Sequence, residues 1–257
     1  MSYETILFGL AGHVATVTLN RPDRLNAFNQ QMCEEFGDVW KRVREDDDIH
    51  VSVVRANGGR AFSTGVDVVK GIDKPPNFWA WDDPGKFLGP KANDCWKPMV
   101  IAINGMCAGG AFYWVNEADI VICDESATFF DPHVSYGMTS ALEPMGLARR
   151  IPVGEVLRWA LLGLDERMSA GRALQIGLVS EIVPDDQLWA RGAELAATIA
   201  AKPTVATQGT VRAIWESLDM TRRGAQATGL MYTQLANPVG QRQVDRASFV
   251  KPRWRLR

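Results

Sequence analysis

The chain of 257 residues is 46% hydrophobic and 23% charged, enough to bury a full core at the large end of single-domain size. A formal net charge of −2, with lysines and arginines scattered along the chain, leaves no basic footprint and argues against nucleic acid as a partner. No apolar run approaches the ~18 residues of a membrane span, Met1-Ser2-Tyr3-Glu4-Thr5 lacks the regions of a signal peptide, and the cysteines Cys33, Cys95, Cys107 and Cys123 lack metal-type spacing, so a cytoplasmic protein without membrane or metal is predicted.

Alternation over residues 5–10 and 14–19, broken at Ala11-Gly12-His13, predicts an antiparallel hairpin. Met32, Phe36, Val39, Trp40 and Val43 then recur at helical spacing behind Asn29, a suitable N-cap. Strand, glycine turn and helix are expected to repeat from the apolar runs 51–56, 99–103 and 120–123. Residues 71–96 break this pattern: Lys74-Pro75-Pro76 opens a segment too rich in proline for regular structure, and a mobile or irregular lid is expected there. Its Phe78, Trp79, Trp81 and Phe87, with Trp96 and Trp114, would either line a pocket for a bulky acyl group or pack the lid or a subunit interface. Beyond Gly154 the chain reads as helices at 155–162, 169–176, 186–201, 204–218 and 222–236.

Two glycine turns carry the chemistry. Met99-Val100-Ile101-Ala102-Ile103 runs into Asn104-Gly105-Met106-Cys107-Ala108-Gly109-Gly110-Ala111 and a helix start. Such a junction aims unpaired backbone N–H groups and the positive end of a helix dipole at one point, where a carbonyl oxygen gaining negative charge is stabilised. Gly59-Arg60-Ala61-Phe62-Ser63-Thr64-Gly65-Val66-Asp67 supplies a second turn and so a second donor. Read alone, both are tight connections in which glycine provides positive φ.

Together with Asn20-Arg21-Pro22-Asp23-Arg24-Leu25-Asn26-Ala27 and the block from Arg167-Met168-Ser169-Ala170 to Gly177-Leu178-Val179, these turns resemble the crotonase (enoyl-CoA hydratase/isomerase) superfamily, in order and spacing, through nearly the whole chain. The resemblance implies an α/β crotonase-like fold: an N-terminal spiral of repeated strand-strand-helix units, with residues 1–200 as the core holding an acyl-CoA site. Residues 201–257 would be a C-terminal helical region for trimerisation and site closure. It implies homotrimers or hexamers, an acyl-CoA thioester substrate, and no cofactor beyond the coenzyme A that arrives with that substrate. The N–H groups of Val66 and Gly110 would form the oxyanion hole. Arg24, Lys70, Phe249 and Lys251 match positions that contact coenzyme A.

The acid and base residues depart from the family pattern. Both glutamates of the hydratases are replaced, by Tyr113 and by His133. Paired carboxylates suit hydration because one activates water while the other delivers a proton to carbon. Imidazole can act as a base near neutral pH and a phenol can donate, while the residues themselves leave open that His133 caps a turn and Tyr113 fills the core. Glu143 lies in the loop where the family's isomerases place a single glutamate, and Asp131 is read as orienting the turn or His133. Isomerase-like or divergent lyase or hydrolase chemistry is therefore expected ahead of standard hydration. The alternatives are a non-catalytic acyl-CoA binder of the same fold and, further off, an RNA-associated scaffold.

Overall fold

The computed structural model describes residues 3–73, 77, 79, 83–247 and 256. Phe78, Trp81, Phe249 and Lys251 lie outside them, as do most residues of the arginine-rich C-terminus. The chain opens with the hairpin of β1 (Ile6–Ala11) and β2 (Val14–Leu19), turned by Gly12 and His13, both at positive φ (55° and 67°), as a two-residue hairpin demands. Helix α1 (Gln30–Glu45) begins at Asn29, whose side chain accepts the Met32 N–H at 3.1 Å. It buries Met32, Cys33, Phe36, Val39, Trp40 and Val43, the stripe its periodicity predicts.

Three strand pairs follow: β3 (Val51–Ala56) with β4 (Ala61–Ser63), β5 (Met99–Ile103) with β6 (Met106–Ala108), and β7 (Ile120–Asp124) with β8 (Thr128–Phe130). The first of each pair joins a six-stranded sheet in the order β1-β2-β3-β5-β7-β10, where β10 is Glu181–Val183. The second joins a four-stranded sheet in the order β4-β6-β8-β9, where β9 is Met168–Ser169. The chain thus turns a corner between sheets once per repeat, and successive corners bond to one another through Met106 N–H to Arg60 O (3.1 Å) and Thr128 N–H to Gly105 O (2.9 Å). Gly105 has φ +60°, and a Cβ there would lie 2.5 Å from the Arg60 carbonyl oxygen, so the close approach of the corners requires glycine.

Helices α2 (Phe112–Glu117) and α3 (Leu142–Leu147) follow β6 and β8. No helix longer than a 3-10 turn follows β4 among the described residues, so the expected strand-turn-helix repeat is incomplete in its first unit. The described part of residues 71–96 forms short 3-10 turns at Pro84–Leu88 and Lys91–Asn93. Next come α4 (Val153–Leu162), α5 (Ala170–Gln175) and α6 (Leu188–Ala200). Helix α6 covers one face of the large sheet, with Gly192 admitting Ala102 and Val53. The segment expected to start that helix at 186 is a 3-10 turn, Asp185–Gln187.

Trp114 is fully buried among the rings of Phe28, Phe36 and Phe62, with centroids 5.9, 5.2 and 5.9 Å away. It is a core residue, so of the roles left open for it the acyl pocket falls away. The contacts divide the chain into Met1–Ala200 and Ala201–Arg257. The second unit is an antiparallel pair, α7 (Thr204–Ser217) and α8 (Arg222–Gly240), closely packed where Gly209 meets Ala236 and Gly240 meets Val205. No described helix is long and apolar enough to cross a membrane.

Candidate active site

Strands β4, β6 and β8 are parallel neighbours, so their carboxyl ends deliver three turns to one edge of the small sheet. The first is Gly65-Val66, the second Gly109-Gly110, the third Asp131-Pro132-His133. The carboxyl edge of parallel strands is where α/β folds gather ligand-binding groups.

The first two turns touch through backbone alone. Gly65 has φ +85°, and a Cβ there would fall 2.8 Å from the Gly110 nitrogen and 3.1 Å from the Ala108 carbonyl oxygen. A Cβ on Gly110 would strike the Phe28 ring at 2.6 Å. Phe28 bridges the Gly65 loop in parallel: its N–H donates to Gly65 O (2.8 Å) and its carbonyl accepts from Asp67 N–H (2.7 Å). That pairing leaves the Val66 N–H off the ladder. Gly110 is the second residue of the 3-10 turn Gly109–Ala111, where an N–H has no acceptor within its own turn. Among the described residues neither N–H takes part in a turn or cap hydrogen bond between backbone groups.

The third turn places His133 against the second. Its Cε1 lies 3.6 Å from the position a Cβ on Gly109 would occupy. His133 Nδ1 is 2.5 Å from Oδ1 of Asp131, a fully buried carboxylate that also accepts the His133 N–H at 3.0 Å and the Ser140 hydroxyl. The Asp131 bond holds the imidazole above its usual range against the opposing effect of burial, and Glu143 adds to the rise. Burial pushes the Asp131 carboxyl up, yet the donations from His133 and Ser140 outweigh it and leave it below the usual carboxylate range.

Glu143 stands in the first turn of α3 and is 7% exposed. Burial pushes its carboxyl up; its own N–H and His133 oppose the rise, and Asp131 and Asp83 add to it. Its carbonyl accepts Asn116 Nδ2 at 2.9 Å, and Gly146 lets α3 approach Asn116 closely, tying α3 to the helix that carries Tyr113. Tyr113 is half-buried and donates its hydroxyl to Asp83 Oδ2 at 2.5 Å. Burial, that bond and the nearby Glu143 carboxyl all push the phenol upward, so it keeps its proton. The Glu143 charge therefore acts on both His133 and Tyr113, and Asp83, which sequence reasoning missed, belongs with them through its bond to Tyr113 and its effect on Glu143. Its only signal was a position at the end of the proline-rich segment.

Arg24 and Lys70 are exposed and belong to loops joined by a buried pair, Arg21 to Asp67 at 2.8 Å. Asp67 Oδ1 accepts the N–H groups of Val69 (3.0 Å) and Lys70 (3.1 Å). Burial pushes the Asp67 carboxyl up, but the Lys70 N–H, the Arg21 guanidinium and the Val69 N–H win and hold it down at about 2. Among the described residues no group of three or more His, Cys, Asp or Glu is placed to hold a metal ion.

A spiral of strand pairs whose second strands end in adjoining glycine turns, followed by a helical pair, is the crotonase fold. The sequence profile of the family "Enoyl-CoA hydratase/isomerase" matches residues 10–243, and the chain belongs to that family. It is 31% identical over 230 residues to the (E)-benzylidenesuccinyl-CoA hydratase of Thauera aromatica, covering 88% of this chain and 86% of that one. It is 29% identical over 226 residues to the mitochondrial Delta(3,5)-Delta(2,4)-dienoyl-CoA isomerase of Rattus norvegicus, covering 81% and 68%. Among solved structures, an enoyl-CoA hydratase/isomerase from Mycobacterium paratuberculosis superposes with TM-score 0.83 at 38% identity over 91% of this chain and 90% of that one.

Proposed function

We propose that the protein is an acyl-CoA enzyme that holds the thioester carbonyl between the Val66 and Gly110 N–H groups and moves a proton at the carbon next to it. The observation that carries this reading is the direct contact of the Gly65 and Gly110 backbones, with the His133 imidazole lying against Gly109. When the C–H bond breaks, its electron pair moves to the thioester oxygen, and preorganised N–H donors are worth about 3 kcal/mol each at that moment. Glu143 takes or returns that proton: a carboxylate whose acid form is favoured by burial is the stronger base. His133 is the second proton carrier. Tyr113, its hydrogen committed to Asp83, serves as a fixed hydrogen-bonding wall and not as a free acid.

With neither hydratase glutamate present, double-bond isomerisation or divergent lyase or hydrolase chemistry is favoured over standard hydration. Enolate chemistry of a thioester needs no added redox cofactor or metal; coenzyme A comes with the substrate. Arg24 and Lys70 are assigned to its phosphates and adenine edge, supported by their exposure on loops that Arg21 and Asp67 lock beside Val66. Phe249 and Lys251 keep the same assignment by resemblance. Four free buried cysteines fit a reduced, cytoplasmic setting. Assembly as a trimer or a pair of trimers is supported by the exposed apolar row Val153, Leu157 and Leu161 on α4 and by Leu230, Met231 and Leu235 on α8.

Mass spectrometry of saturated, unsaturated, dienoyl and aryl-bearing acyl-CoAs incubated with the protein in deuterated water tests the reading. Deuterium at carbon, lost in Glu143→Gln, is expected. Thioester binding with no exchange on any member of the panel would replace the enzyme with a non-catalytic acyl-CoA binder.

A further inference from the structure

Asp131 is the most enclosed charged group near the proposed site, with no exposed surface at all. It directly follows β8, an interior strand of the small sheet. One oxygen takes both the backbone N–H and the Nδ1 of His133; the other takes the hydroxyl of Ser140, in the loop that leads into α3 and Glu143. We propose that Asp131 is a positioning residue for proton transfer, fixing His133 so that Nε2 alone exchanges protons and tying the loop before Glu143 to the same carboxylate. This inference rests on the proposed function.

The chemistry follows from the inventory of the imidazole. A hydrogen on Nδ1 directed at Asp131 leaves Nε2 as the only ring nitrogen free to gain or lose a proton, and a buried carboxylate behind the ring stabilises the imidazolium that forms. Among the described residues the charged groups acting on this ring are Asp131 and Glu143, and both are acidic. The ring is thus held toward its charged form against the opposing effect of burial. Ser140 spans the sequence gap between the two proton carriers, so one buried side chain sets the placement of both. Asp131 acts through His133 and Ser140.

The contact from Asp131 Oδ1 to the His133 N–H is also a local turn of the kind aspartate and asparagine make equally well. Asp131→Asn therefore keeps that turn while removing the charge. The first readout is the NMR titration of the His133 imidazole without thioester, assigned by loss of its signal in His133→Gln. Its midpoint is expected to fall by about one pH unit or more in Asp131→Asn. The second is deuterium exchange into acyl-CoA, expected to drop at least about tenfold at saturating thioester, with KM nearly unchanged and the pH limb displaced in step with the titration. Ser140→Ala, which leaves the turn and the charge in place, is expected to lower exchange by a smaller factor.

An unmoved titration overturns the proposal whatever the activity. A displaced titration with unchanged exchange rate and pH limb overturns the role in proton transfer and leaves the proposed function standing. Absence of exchange in the wild-type protein overturns both.

Discussion

Replacing Gly65 by alanine tests the core of the proposed site. The new Cβ would sit 2.8 Å from the Gly110 nitrogen and 3.1 Å from the Ala108 oxygen, and both are backbone atoms that no rotamer change can remove. Restoring ordinary contact requires the two turns to separate by roughly half an ångström, and displacements on the order of 1 Å cost about 10²-fold in catalysis. The positive φ of 85° adds about 1–2 kcal/mol of backbone strain for a residue with a side chain. Gly65→Ala is therefore expected to lose about 2 to 3 kcal/mol of stability and to slow deuterium exchange about 10² to 10³-fold. Urea unfolding and mass-spectrometric exchange read the two effects separately. Gly59→Ala, in the corner before β4, where a Cβ meets nothing within 4 Å, is the control and should leave exchange unchanged. A folded Gly65→Ala protein exchanging at the wild-type rate would refute the placement of an oxyanion donor at Gly110.

Glu143→Gln should reduce exchange by about 10²-fold or more with thioester affinity nearly constant. Because burial raises the Glu143 carboxyl in the fold, its cost to stability grows as pH rises above the unfolded value, so the variant should also unfold at a slightly higher temperature at pH 7. Arg21→Ala should cost about 1 to 3 kcal/mol in urea unfolding, since it takes the cation from a carboxylate that then keeps only the Val69 and Lys70 N–H donors. The folded Asp67 carboxyl is held at about 2, so its stabilisation, about 2 kcal/mol, is complete above pH ~4 and disappears as pH falls through 2. The stability gap between wild type and Asp67→Asn should close over that window. Tyr113→Phe and Asp83→Asn should each slow turnover, and the double variant should be no slower than Tyr113→Phe alone; additive losses would show that the two side chains act independently.

Much of the fold was legible wherever one element makes its own repeating pattern. Helix α1 declared its buried stripe and its Asn29 cap, the hairpin declared its Gly12-His13 turn, and β3, β5 and β7 declared themselves as apolar runs. The second sheet was not legible, because β4, β6 and β8 are three residues each and β9 is two, too short for any periodicity to register. The pairing of Arg21 with Asp67 spans 46 positions and that of Tyr113 with Asp83 spans 30, and only the folded spiral brings such residues together. Trp114 could not be placed between a pocket and a packing role, because aromatic clustering in sequence does not say which ring is enclosed: Phe28 touches both Tyr113 and Trp114, yet Trp114 is fully buried and Tyr113 only half-buried.

His133 and Tyr113, the two positions that the resemblance sets against the family's glutamates, share a property that neither position reveals alone. His133 leans on Asp131 and Tyr113 on Asp83, so each side chain has a carboxylate one group behind it. The pair that is two residues apart could be read from the chain; the pair that crosses from the lid segment to α2 could not. Moving the negative charge one group back changes what each position can do: an imidazole backed by a carboxylate still accepts and returns protons near neutral pH, whereas a phenol pushed upward by burial and by its aspartate holds its proton throughout that range. The asymmetry leaves one mobile proton on the β8 side and a fixed hydrogen bond on the α2 side. Glu143 then becomes the natural partner of His133, which is the division of labour expected of proton shuttling between carbons and not of paired-carboxylate water addition.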